Sequence, residues 1–168
     1  MGRRVAIAWL GFALALSLGV PSAVVAADWG GISPGSSTQN AVRERYGAPS
    51  RETRQKLETY DTVQWVYEGA RAPAGMKRMI VEFGLLTAGG YRPNLVRSFT
   101  LEPKPHIFDY VAVVKGWGIP DRIGEQGGRK VYFYQVGLLV YFDESGDDTT
   151  SMVFSPPQAE PQRTPAAK

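Results

Sequence analysis

Two stretches, YGAPSR at residues 46–51 and GWGIPD at residues 116–121, decide how this chain is read. In each, a glycine supplies the backbone turn that stops a helix, and a proline two residues later forbids its continuation. Gly47 and Pro49 do this in the first stretch, Gly118 and Pro120 in the second. Aromatic, strand-like residues follow both. One small protein that closes two helices with the same device is read as a duplicated unit.

Working outward, Ser37 or Thr38 is placed to cap a helix over QNAVRERY, residues 39–46, which Gly47 closes. Residues 50–62 are polar and of mixed charge, and read as a loop or a short second helix. VQWVYEG (63–69), MKRMIVEFGLL (76–86) and LVRSFTL (95–101) carry strand patterns, separated by ARAPAG and TAGGYRPN. EPKP marks a boundary. The order then restarts: HIFDYVAVVKGW (106–117) has Ile107, Tyr110, Val111 and Val114 at helical spacing. RKVYFYQV (129–136), LLVYFDE (138–144) and TTSMVFS (149–155) follow as strands. Trp65 and Tyr67 match Tyr132 and Tyr134, Val81 and Phe83 match Val140 and Phe142, and Val96 to Phe99 falls near Met152 to Phe154. The offset shrinks from 71 to 67 to 59 along the chain, each step falling in a connection.

The expected fold is therefore α+β: two tandem pseudo-repeats, each a helix (or two) packed on a three-stranded antiparallel sheet. The division is 28–103 for the first repeat and 104–156 for the second. Residues 157–168, rich in proline with little to bury, are expected to be a disordered tail.

Residues 1–26 read as a signal peptide: Arg3 and Arg4, an apolar run from Val5 to Val20, then Ala23, Ala26 and Ala27 at the cleavage region. The run of 16 residues is shorter than the roughly 20 that a spanning helix needs. Cleavage removes two arginines and no acid, so the formal charge falls from +3 to +1. A nearly neutral exported protein is a poor nucleic-acid binder. The chain has no cysteine, which excludes disulfides, thiolate metal sites, a cysteine nucleophile and a lipidated N-terminal cysteine. The expected location is periplasmic or secreted, with at most peripheral membrane contact and no lipid anchor.

Motifs for catalysis are absent. The one histidine, His106, beside Pro105, reads as a cap or an exposed residue. Asp143, Glu144, Asp147 and Asp148 around Gly146 do not follow the EF-hand spacing and read as turn residues. The expectation is a non-enzymatic protein with no metal and no cofactor. By strand alternation, Trp65, Tyr67, Tyr132, Tyr134, Val140 and Phe142 face the helices. That leaves Gln64, Val66, Glu68, Val131, Phe133, Gln135, Leu139 and Tyr141 on the other face. Exposed aromatic patches mark interaction surfaces. Phe133, Gln135, Leu139, Tyr141, Val66 and Glu82 are the candidate protein-binding residues. In the basic segment 43–56, Arg43, Arg45, Arg51 and Arg54 are candidates for an anionic lipid or envelope polymer.

The residues Gly35 to Thr38, Val42, Tyr46-Gly47-Ala48-Pro49 and Trp65 to Tyr67 resemble the motif of the small-protein-A (OmlA, BamE-like) family, and Val140 to Gly146 resembles its last strand. In its duplicated form the pattern also resembles the β-lactamase inhibitor protein, whose two α/β repeats present a sheet to an enzyme. The resemblance implies a protein-interaction module of the bacterial cell envelope with an envelope or secreted protein as partner. The alternative it implies is an inhibitor-like binder of a secreted enzyme.

Overall fold

A computed structural model describes residues 26–157. The leader, up to Val25, and the tail from Gln158 onward lie outside the described residues, so the signal-peptide and disorder expectations fall there almost entirely. In chain order the elements are α1 (Gln39–Tyr46), β1 (Arg51–Leu57), β2 (Tyr60–Glu68), β3 (Met76–Thr87) and β4 (Gly90–Pro103), followed by α2 (Tyr110–Trp117), β5 (Arg122–Gln126), β6 (Arg129–Tyr134), β7 (Leu138–Phe142) and β8 (Thr149–Phe154). One 3₁₀ turn, Gly69–Arg71, lies between β2 and β3.

All eight strands form one antiparallel sheet in the order β1-β2-β3-β4-β8-β7-β6-β5. This overturns the expected fold. There are not two helix-on-three-strand repeats, and the resemblance to the small-protein-A family and to the duplicated inhibitor falls with them. Two things hid the sheet. First, β4 and β8 pair through Phe99–Phe154, Thr100–Val153 and Leu101–Met152, so the last strand of each half covers the open edge of the other. Non-local pairing of this kind leaves no local signal in the chain. Second, each half has a fourth strand at its outer edge. RETRQKL, expected to be a loop or a weak helix, is β1, exposed along its whole length. Its partner at the far edge, β5 (RIGEQ), is also exposed throughout. A strand with solvent on both faces needs no apolar alternation, and a charged edge discourages pairing with other chains.

Helix plus four-stranded meander occurs in both halves. Thr38 and Asp109 cap the helices, their side chains accepting from the N–H groups of Ala41 (3.3 Å) and Ala112 (2.6 Å). Helix α2 thus starts at Tyr110, four residues later than the sequence pattern suggests, because Asp109 supplies the cap and residues 106–109 are irregular. Val42 and Val113 are the fully buried residues of the two helices. Ile107, Tyr110 and Val111, expected on the packed face, are 43%, 46% and 52% exposed.

At the helix ends, Gly47 (φ 74, ψ −161) and Gly118 (φ 84, ψ −169) occupy a region that only glycine enters freely. Each glycine carbonyl accepts a hydrogen bond from a buried tyrosine, Tyr67 Oη to Gly47 O at 3.1 Å and Tyr134 Oη to Gly118 O at 3.0 Å. These bonds tie each helix end to the second strand of its own meander. The core lies between the helices and one face of the sheet. It contains Trp65, Tyr67, Phe83, Phe99, Tyr134, Phe142 and Phe154, with Phe99 and Phe154 stacked at 4.3 Å across the β4–β8 seam. The N-terminal segment closes the same side through Ala27 and Ile32.

Candidate functional site

The register of the sheet assembles its other face. Cross-strand partners run Arg51, Val66, Ile80, Thr100, Val153, Leu139, Phe133, Arg122, one residue from each of the eight strands. At about 4.8 Å between strands, this row is roughly 34 Å long. Its middle is apolar apart from one threonine, and both ends are exposed arginines. Val66 is 1% exposed, while Ile80, Thr100, Val153, Leu139 and Phe133 are half-buried. Val66 and Val131 are buried, yet neither belongs to the core cluster on the helix side.

Polar side chains flank the row in the first half. On one side Glu82 accepts from Arg97 Nη2 and Ser98 Oγ, both at 2.9 Å, and from Gln64 Nε2 at 3.3 Å. Burial acts to raise the Glu82 carboxyl, but these hydrogen bonds and the Arg97 charge outweigh it and hold it below the usual carboxylate range. A carboxylate so engaged stays ionised and is a structural anchor rather than a free acid or base. On the other side, Arg78 pairs with Glu102. In the second half the flanking position is apolar, with Tyr141 opposite Val131.

The structure places Val66, Phe133 and Leu139 in the row itself, with Phe133 and Leu139 directly paired, and Tyr141 and Glu82 beside it. Gln135 lies just past the end of β6, half-buried, its N–H donating to Asp121 Oδ2 at 2.8 Å. The four arginines are not brought together. Arg43 is on α1 with its guanidinium 4.8 Å over the Trp65 ring, and Arg45 lies against Gly31. Arg54 sits on the helix side of β1, 3.4 Å from Glu52, while Arg51 is on the opposite face. Arg51 is thereby set apart from the other three, which lie on the helix side, so the four do not form one site. Ile80, Thr100, Val153 and Arg122 belong to the row but were missed in the sequence. Ile80 stands in an unbroken apolar run, Met79-Ile80-Val81, where alternation does not show which face a residue takes.

Elsewhere, the lone histidine is 87% exposed, its Nδ1 2.8 Å from Asp148 Oδ2. Asp143 accepts from Ser145 Oγ and from the N–H groups of Gly146 and Asp147, so the acidic turn is spent on its own loop. No group of three or more metal-type ligands occurs among the described residues.

No protein-family model matches the chain, and no curated protein matches it. Two solved structures do. The chain is similar to a DUF4309 family protein, YjgB, from Bacillus subtilis subsp. subtilis str. 168, at 9% identity and a TM-score of 0.43, over 75% of this chain and 82% of that one. It is also similar to an extracellular protein containing an SCP domain from Bacillus anthracis str. Ames, at 13% identity and a TM-score of 0.40. That match covers 71% of this chain and 43% of the other. No described helix is long and apolar enough to cross a membrane.

Proposed function

We propose that this is an exported, non-enzymatic protein-interaction module that binds an envelope or secreted protein through the open face of its sheet. The observation that carries this reading is the transverse row, one side chain per strand, apolar in the middle and ended by Arg51 and Arg122. A row roughly 34 Å long is far larger than a small metabolite and suits a protein surface. Its composition, an apolar centre with charge at the rim, is that of a protein–protein contact. The complementary partner presents an apolar strip with acidic groups at its ends. Export belongs to the same proposal and rests on the leader pattern of residues 1–26.

The test is photo-crosslinking in the native cell extract. A photoreactive phenylalanine analogue replaces Phe133 or Tyr141 on the open face, and in a third protein Lys115 on the exposed side of α2. A discrete partner crosslinked from positions 133 and 141 and absent from 115 is the expected result. The same products from all three positions, or products from 115 alone, would sink the sheet-face site. A second reading, binding of anionic polymers through all four arginines, is disfavoured because Arg51 lies on the face opposite Arg54.

A further inference from the structure

At one end of the open face, the tips of the β1–β2 and β3–β4 hairpins enclose a pocket of about 240 Å³. It is separate from the transverse row. Its walls are mostly apolar, with Leu57 and Leu86 at the mouth, 52% and 61% exposed. Tyr60 and Tyr91 stack at 4.4 Å and form one side. The Tyr91 hydroxyl donates to the carbonyl of Asp61, which holds the ring in place. Gly84 lies under that ring with φ 101, and a Cβ there would stand 2.2 Å from Tyr91 Oη, so a residue with a side chain would displace the tyrosine.

The inner end is formed by Arg97. Its Nη2 is committed to Glu82, whereas Nη1 is closed to solvent and has no partner. A buried donor without an acceptor is costly, and such groups call for an explanation. The charge of Arg97 is already answered by Glu82, and Glu58 adds a second carboxylate at the pocket. The unmet requirement is therefore a hydrogen-bond acceptor, without further negative charge.

We propose that this pocket binds a small, uncharged, largely apolar molecule carrying one carbonyl oxygen. Its apolar body fills the space between the tyrosine pair and the two leucines. The carbonyl oxygen accepts from Arg97 once a shift of the side chain, with Nη2 kept on Glu82, opens Nη1 to the cavity. The volume is below that of typical drug-sized sites, so the ligand is about one ring with a short substituent.

Three probes of one shape separate the parts of this proposal: acetophenone (ring and neutral carbonyl), ethylbenzene (no acceptor) and benzoate (an anionic acceptor). Titration of the ¹⁵N-labelled protein, followed by amide NMR, reads both site and affinity. Acetophenone is expected to shift the amides of Gly84 and Tyr91 and to bind about tenfold more tightly than ethylbenzene, or about 1.4 kcal/mol. Benzoate is expected to bind more weakly than acetophenone. Leu86→Asp, at an exposed position that leaves the fold intact, should weaken acetophenone severalfold. No shift at Gly84 and Tyr91, or unchanged affinity in Leu86→Asp, would overturn the site. Equal binding of ethylbenzene would overturn the role of Arg97, and tighter binding of benzoate would overturn the neutral ligand.

Discussion

The paired tyrosine-to-glycine bonds make a prediction with two readouts. The perturbation is Tyr67→Phe with Tyr134→Phe, which removes the hydroxyl that each ring donates to a helix-ending glycine and leaves the ring. Both residues are buried, at 0% and 2% exposure. A neutral hydrogen bond contributes about 1 kcal/mol net. The two sites lie in different halves of the sheet, so the costs should add. The double variant should therefore lose about 2 kcal/mol at neutral pH, or roughly 6–8 °C in melting temperature for a domain of this size. The second readout is pH. Burial pushes both hydroxyls up from 10 to about 12. A folded-state value above the unfolded one means that the unfolded chain loses its proton first. Stability is whole below pH 10 and declines as the pH rises toward 12. At pH 11 the decline is about 1.4 kcal/mol for each tyrosine. The double phenylalanine variant has no such protons to lose. Its stability deficit should shrink above pH 10, vanish at about pH 10.7 and reverse by about 0.8 kcal/mol at pH 11. Urea unfolding followed by tryptophan fluorescence from pH 7 to 11.5, on both proteins, measures this. Parallel curves at every pH, or a variant as stable as the parent at pH 7, would refute the reasoning.

Three further substitutions test the core and the helix ends. Trp65→Ala should cost roughly 3–5 kcal/mol in equilibrium unfolding. It empties a site where the ring meets Phe83 at 4.7 Å and Arg43 at 4.8 Å, and it strips Glu52 of the indole N–H at 3.0 Å. Gly47→Ala or Gly118→Ala meets no atom within 4 Å of the added carbon, so the cost is backbone strain alone, about 1–3 kcal/mol by thermal melting. Loss of less than a few tenths of a kcal/mol at both would remove the argument for glycine there.

By itself the sequence determined the local features of this protein. Thr38 and the turn at Gly47 delimit α1 at residues 39–46, because capping and helix termination are decided by a few neighbouring residues. Alternation likewise assigned Trp65, Tyr67, Tyr132 and Tyr134 to the helix side, since a strand turns successive side chains to opposite faces. The same periodicity misled at α2, where Ile107, Tyr110 and Val111 sit at helical spacing but are largely exposed. An apolar residue states no preference for one neighbour over another. Only the tertiary structure decided that β4 pairs with β8, making one sheet of eight strands rather than two of three. That choice rests on backbone pairing between residues 51 to 55 positions apart, from Leu101 with Met152 to Phe99 with Phe154, and backbone groups are the same in every residue. It decided, too, that the polar segment at 51–57 is an edge strand, because hydrogen bonds to β2 hold it in place without any buried side chain. The row from Arg51 to Arg122 exists only through that pairing. Its members are spread over eight strands, and what joins them is register, which no stretch of the chain contains.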